Sequence, residues 1–255
     1  MAEILEGKVA LISGSARGQG ASHARRLAAA GASIVVCDLL DDLGEAVARS
    51  ITDVGGRAVY THLDVRSNTD WGAAVDLAES EFGALNILVN NAGVCEISSV
   101  TECSDEEWDL VVNTNQTGVF QGMRAAIPAL ERAGGGSIIN TASIFGLKGT
   151  WGYAAYVASK FAVIGLTKTA ARTYCYSNIR VNAIAPSSVA TPMLEKELKQ
   201  FEGNPNFDYS KHIAMQPIPR DATVEEVSET VLYLASDMSS YTTGAVIPVD
   251  GGVLA

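Results

Sequence analysis

Three side chains have the types and spacing for proton transfer at a carbon–oxygen bond. Ser143 closes an apolar, β-branched run, and Tyr156 and Lys160 follow it by thirteen and seventeen residues. Tyr156 and Lys160 are four apart in a stretch of helical period, which stacks them on one face and sets an ammonium near the phenol. A free phenol titrates near 10, so acid/base work near neutrality needs about 3 kcal/mol of preferential phenolate stabilisation. The Lys160 cation, together with an oxidised nicotinamide, is expected to supply it and lower the Tyr156 pKa. Ser143 can then hold a substrate oxygen while Tyr156 gives or takes the proton.

The hydride partner is indicated further upstream. Val9–Ser13 runs into Gly14-Ser15-Ala16-Arg17-Gly18-Gln19-Gly20 and then a helical segment. Glycines let a backbone approach a pyrophosphate, and a helix N-terminus offers it unpaired N–H groups. The spacing is Gly-x-x-x-Gly-x-Gly, not the usual Gly-x-Gly-x-x-Gly. Asp38 lies eighteen residues after Gly20, where a carboxylate can accept hydrogen bonds from an adenosine ribose and repel a 2′-phosphate. Leu39, not Arg, follows it, so NAD is favoured over NADP although Arg17 pulls the other way. Asp64 and Val65 can meet the adenine, or Asp64 can simply cap its strand end. Asn90-Asn91-Ala92-Gly93, with Asn91, Ala92 and Gly93 as contacts, extends the groove after the fourth strand.

Positioning these residues requires alternating strands and helices. Strands are expected at 8–13, 33–37, 57–63, 86–90, 136–142, 179–185 and 245–249, and helices at 18–31, 41–54, 67–83, 104–132, 152–176 and 223–237. The pattern reads as one doubly wound α/β domain, a Rossmann-type parallel seven-stranded sheet with helices on both faces. Residues 191–220 break the rhythm and read as a substrate lid that can turn Met193, Leu194, Leu198, Phe207 and Met215 inward. Asn115 falls inside the 104–132 helix, where an Asn ordinarily bonds locally or faces water.

Over essentially its whole length the chain resembles the short-chain dehydrogenase/reductase family. The resemblance implies that Asn115, Ser143, Tyr156 and Lys160 are the catalytic set, with Lys160 binding the nicotinamide ribose and Asn115 keeping a water in a proton relay. It also implies cofactor contacts at Pro186, Val189 and Thr191, and a homotetramer. The family's Pro-Gly is here Pro186-Ser187, which leaves the role of Ser187 open, and its Thr-Gly turn begins with Ser13. Tyr153, seven residues before Lys160, offers the register of divergent enoyl reductases, disfavoured by the different glycine turn. Cys95, Ile144, Phe145, Trp151, Tyr153, Ser188, Met193 and Met215 read as pocket wall, each with plain core as the bland alternative. Residues 17–23 resemble the turn of actinobacterial members that hold NAD tightly, but 38–57 lacks the insertion such members often carry. With His62-Leu63-Asp64-Val65, the overall look is closest to bacterial hydroxysteroid dehydrogenases of the 3α/20β type, which implies a bulky hydrophobic secondary alcohol or ketone. An acyl-carrier-protein ketoreductase and a non-catalytic dinucleotide sensor are the competing readings.

Composition narrows the partners. The 255 residues carry 18 Lys+Arg against 29 Asp+Glu, a net charge of −11, which argues against nucleic acid. No apolar run is long enough for a membrane span, and a cytoplasmic location is expected. Cys37, Cys95, Cys103 and Cys175 read as free thiols. His23, His62 and His212 share no ligand spacing, so no metal site is expected.

Overall fold

The computed structural model describes residues 4–202 and 208–255. Seven parallel strands form one sheet in the order β3-β2-β1-β4-β5-β6-β7. They are β1 Val9–Ser13, β2 Ser33–Asp38, β3 Arg57–His62, β4 Ile87–Asn90, β5 Gly136–Thr141, β6 Ile179–Pro186 and β7 Val246–Val249. The central strands are buried on both faces, as their unbroken Val/Ile/Leu/Ala runs require. The doubly wound, single-domain α/β arrangement is the one expected from sequence.

One core lies between the sheet and helices α1 Gly18–Ala28, α2 Asp41–Thr52 and α9 Val224–Ala235. The other lies under α3 Asn68–Phe82, α5 Gly118–Arg132 and α6 Ala154–Tyr174, with α4 Asp105–Val112 packed on α6. Side-chain caps fix several helix starts. Ser67 and Ser104 accept the third-position amides of α3 and α4, and Thr223 forms a reciprocal capping box with Glu226. Helix α1 has no such cap, since Arg17 offers its first turn no side-chain acceptor.

Strand order reverses between β1 and β4, so the loops after these strands part and open a crevice at their carboxyl ends. The register sets Ser13 beside Cys37 and Asp38 beside His62, which puts the glycine turn and Asp38 at the same edge of the crevice. Helix boundaries differ from the sequence reading by a few residues, and one difference is substantive. The single helix expected over 104–132 is interrupted by a π-helical turn, Asn113–Thr117, between α4 and α5. The 191–220 segment contains α7 Pro192–Gln200 and α8 Tyr209–Ala214.

Candidate active site

The crevice is a groove of about 560 Å³ lined from the glycine turn to α7. At one end stand Gly14, Arg17, Gly18 and Gln19, with Asp38, Leu39, Asp64 and Val65 beside them. Gly14 and Gly18 have φ of 65° and 56°, the left-handed region in which a side chain is strained. Gly20 lies behind the lining. A Cβ on it would sit 2.1 Å from the Gly14 carbonyl oxygen, so only glycine permits this tight approach of helix to turn. Gln19 Oε1 is buried without a hydrogen-bond partner. An uncapped helix start and a glycine cradle together fit a pyrophosphate.

Asp38 accepts the Ala16 amide at 2.9 Å through Oδ2 and the Leu40 amide at 3.1 Å through Oδ1. Each carboxylate oxygen keeps a further acceptor site for a ribose hydroxyl. Asp64 lines the same end of the groove and has a cation of its own. Arg66 clasps its carboxylate at 2.7–3.1 Å and holds its pKa below the ordinary carboxylate value.

Further along, Asn91 braces the two loops by donating from its side chain to the Ser13 and Gly14 carbonyls at 3.1 and 2.9 Å. Ala92 and Gly93 line the groove next to it. A Cβ on Gly14 would come within 2.6 Å of Ala92 Cα, so the two small residues set the width of the groove here.

Ser143, Tyr156 and Lys160 converge on the groove as their spacing requires. Ser143 caps the short 3₁₀ turn Ile144–Gly146, its Oγ accepting the Phe145 amide at 3.1 Å. Its hydroxyl also hydrogen-bonds to the Tyr156 phenol, which pulls the phenol pKa back toward the ordinary value. Lys160 is buried and donates from Nζ to the Thr141 carbonyl at 2.8 Å, with its charge 5.4 Å from the centroid of the Tyr156 ring.

The expected acidification of the phenol by this ammonium and an oxidised nicotinamide belongs to the cofactor-bound site; in the protein alone the phenol is not acidified. Burial, reinforced by the nearby Glu197 carboxylate, pushes the Tyr156 pKa well above its ordinary value. Burial lowers the pKa of Lys160 to about 8. The protein alone therefore keeps the phenol protonated.

Asn115 does neither of the things expected of a mid-helix Asn. The π-helical turn aims its side chain at the loop after β4, where Oδ1 accepts the Val94 amide and Nδ2 donates to the Val94 carbonyl, both at 2.8 Å. A further bond from Nδ2 reaches Ser159 Oγ at 3.2 Å. Asn115 thus ties the Gly93–Val94 backbone to α6, one step behind the groove.

Pro186, Ser187, Ser188, Val189 and Thr191 line the far wall. Ser187 donates its amide to the Val249 carbonyl at 3.2 Å, which fixes the backbone where the family has glycine. Thr191 caps α7, with Pro192 at the first helical position. Ile144, Phe145, Met193 and Leu194 continue the lining as the apolar part of the pocket.

Four other residues expected in the pocket wall lie elsewhere. Cys95 and Tyr153 are buried behind the lining in a small cluster with Phe201, and Tyr153 packs on Phe145 with ring centroids 5.2 Å apart. Trp151 is 60% exposed and meets Phe201 edge-on at 5.5 Å. Met215 is 78% exposed, outside the lining. Phe207 lies outside the described residues, as does the side chain of His212. Among the described residues no group of three or more His, Cys, Asp or Glu could hold a metal ion, and no helix is long and apolar enough to cross a membrane.

Sequence reasoning passed over Glu197. It projects from α7 into the groove, and burial raises its pKa although the Cys95 thiol hydrogen-bonds to it. The available signal was its spacing, one helical turn after Met193 and therefore on the same face.

A doubly wound parallel sheet with a glycine turn at its switch point, and a Ser, Tyr and Lys converging beside it, defines a dinucleotide-type oxidoreductase fold. A family model described as enoyl-(acyl carrier protein) reductase matches residues 14–254. A 3-alpha-(or 20-beta)-hydroxysteroid dehydrogenase of Mycobacterium tuberculosis is 47% identical over 98% of this chain and 91% of its own. A trans-4-hydroxycyclohexanecarboxylate dehydrogenase of Sinomonas cyclohexanicum is 47% identical over 96% and 92%. The crystal structure of levodione reductase superposes with a TM-score of 0.93, at 33% identity, covering 97% of this chain and 98% of that one. The chain belongs to the short-chain dehydrogenase/reductase family.

Proposed function

We propose that this chain is an NAD-dependent oxidoreductase that interconverts a secondary alcohol and a ketone, with a bulky, largely hydrophobic and hydroxysteroid-like or alicyclic substrate. The convergence of Ser143, Tyr156 and Lys160 on one groove carries the reading. Relatives whose names describe hydroxysteroid and hydroxycyclohexane substrates support it.

Gly14, Arg17, Gly18 and Gln19 would hold the pyrophosphate, and Asp38 the adenosine ribose. Leu39, Asp64 and Val65 would flank the adenine, with Asn91, Ala92, Gly93, Pro186, Val189 and Thr191 along the nicotinamide half. The dinucleotide, when bound, supplies or receives the hydride. Lys160, whose Nζ would lie 3.7 Å from a Cβ on Gly93, is placed to donate to a ribose hydroxyl there. Tyr156, protonated in this environment, donates to the substrate oxygen in ketone reduction, and Ser143 holds that oxygen. In alcohol oxidation Tyr156 must give up its proton first, and the positive charge of an oxidised cofactor favours that loss. Asn115 positions the loop between Gly93 and Lys160.

The Asp38 carboxylate beside the glycine turn favours NAD over NADP and weakens the acyl-carrier-protein ketoreductase reading. Tyr153 faces a cluster behind the wall, which favours Tyr156 over the alternative enoyl-reductase register. Exposed Trp108, Phe120 and Phe161 on α4, α5 and α6 support a homotetramer assembled through these helices. The acidic composition and the free cysteines support a cytoplasmic location. Residues 191–220 act as the substrate lid, with α7 presenting Met193 and Leu194.

Following NADH absorbance with a panel of cyclic secondary alcohols and their ketones tests the activity. The expected result is turnover with NAD and much weaker turnover with NADP. Bound NAD without turnover of any steroid, terpenol or alicyclic alcohol would favour a dinucleotide sensor.

A further inference from the structure

The apolar end of the groove contains one carboxyl group that the proton transfer does not use. Glu197 projects from α7 beside Phe145, Met193 and Leu194. It is near enough to the reacting end for its charge to raise the Tyr156 pKa, and it acts likewise on Tyr153 and Tyr209. From the loop after β4 the Cys95 thiol hydrogen-bonds to it. Lys196, the neighbouring cation whose charge reaches it, turns away to ion-pair with Glu96. A partly buried carboxyl whose nearest cation is ion-paired elsewhere is costly. A lid helix built only to cover an apolar substrate would carry Leu or Met at this position.

We infer that Glu197 is a specificity-determining residue, whose carboxyl group accepts a hydrogen bond from a second hydroxyl on the substrate and turns away substrates that carry a carboxylate there. The geometry supports it from both sides. Ser143 and Tyr156 line the reacting end of the groove and Glu197 lines the same groove from the separate wall formed by α7, so a substrate held by the first two can present a second polar group to the third. A site built to pair a substrate hydroxyl discriminates against the analogue without it, because the acceptor sites of the carboxylate that the Cys95 thiol does not fill then go unpaired. A carboxylate on the substrate would meet like charge in a half-dry pocket. The favoured substrates are alicyclic diols and more highly hydroxylated ring alcohols.

This inference rests on the alcohol–ketone reading, and its test separates the two. Cyclohexanol, trans-1,4-cyclohexanediol and trans-4-hydroxycyclohexanecarboxylate are compared by kcat/KM and by equilibrium binding to the NADH-loaded protein, for the wild type, Glu197→Gln and Glu197→Leu. The wild type is expected to prefer the diol to cyclohexanol and to discriminate against the acid. Glu197→Leu should lower the diol-to-cyclohexanol ratio by about tenfold or more, while Glu197→Gln, which keeps an acceptor, should hold that ratio and improve the acid by about tenfold. An unchanged diol ratio in Glu197→Leu, or no gain for the acid in Glu197→Gln, overturns the inference. If the wild type turns over none of the three and no steroid or terpenol either, the alcohol–ketone reading falls, and the binding ratios alone decide the role of Glu197. Loss of stability with unaltered ratios would assign Glu197 a structural role and reject the inference.

Discussion

Lys160 Nζ donates to the Thr141 carbonyl at 2.8 Å and lies 5.4 Å from the centroid of the Tyr156 ring. The ammonium is thus anchored to the end of β5 and sits over the face of the phenol. Its hydrogen bond fixes the side chain, while burial of both residues moves their pKa values in opposite directions, the lysine down and the tyrosine up.

The buried lysine has a measurable consequence for stability. Its folded pKa, about 8, lies below the ordinary value of 10.5, so between these limits the unfolded chain binds the extra proton. Stability should therefore rise with pH from about 8 to 10.5, by an amount on the order of 3 kcal/mol from this group. Urea denaturation of the cofactor-free protein and of Lys160→Met across that range should show the wild type gaining stability relative to the variant as pH rises, since the buried thiols that oppose the rise act equally in both. Parallel profiles would contradict the assignment.

At the glycine turn, Gly20→Ala forces a Cβ against the Gly14 carbonyl oxygen. NADH titration is expected to show binding weakened by at least about tenfold, because the turn that must receive the pyrophosphate is pushed open. A Cβ on Gly72 in α3 would meet nothing within 4 Å, so Gly72→Ala should leave NADH binding intact and raise stability by about 0.5–1 kcal/mol. Equal binding by Gly20→Ala and the wild type would contradict the proposed cradle.

Cofactor choice should respond to a single charge. Asp38→Asn keeps acceptor capacity on the Ala16 and Leu40 side but removes the repulsion of a 2′-phosphate. With Arg17 lining the same end of the groove, the NAD-to-NADP ratio of kcat/KM should fall by about tenfold or more. A ratio unchanged by the substitution would remove Asp38 as the discriminator.

Asn115→Ala strands the Val94 amide and carbonyl, each now hydrogen-bonded at 2.8 Å. A loss of about 1–3 kcal/mol in urea denaturation is expected. Activity should fall as well, since the Gly93 loop is no longer tied to the helix that bears Tyr156 and Lys160. A stability within a few tenths of wild type would show that the loop is held by other contacts.

The strands were legible because burial on both faces demands continuous β-branched and aliphatic runs such as Ile87–Val89 and Ile34–Val36. Ser143, Tyr156 and Lys160 were legible as a group because a strand end and one helix face fix their relative positions. The interruption at Asn113–Thr117 was not, since a π-helical turn keeps near-helical backbone angles and leaves the polar pattern unchanged. The pocket wall was harder still. Trp151, Tyr153, Cys95 and Met215 lie on loops or at helix ends whose orientation depends on packing between segments far apart in sequence. Glu197 reads as an ordinary surface helix former in Glu195-Lys196-Glu197, and only the docking of α7 turns it inward. The raised Tyr156 pKa of the cofactor-free protein was not legible for a related reason. Spacing shows which charge is near, and not how much water the fold removes from both partners.

The central claim is that the Tyr156 hydroxyl exchanges the proton with the substrate oxygen. Tyr156→Phe removes that hydroxyl alone, and two quantities measured on the one variant test the claim: NADH affinity by fluorescence titration, and turnover of a cyclic secondary alcohol by absorbance. The account predicts affinity within about threefold of wild type and a turnover reduced by at least about 10²-fold. Wild-type turnover in Tyr156→Phe would contradict it.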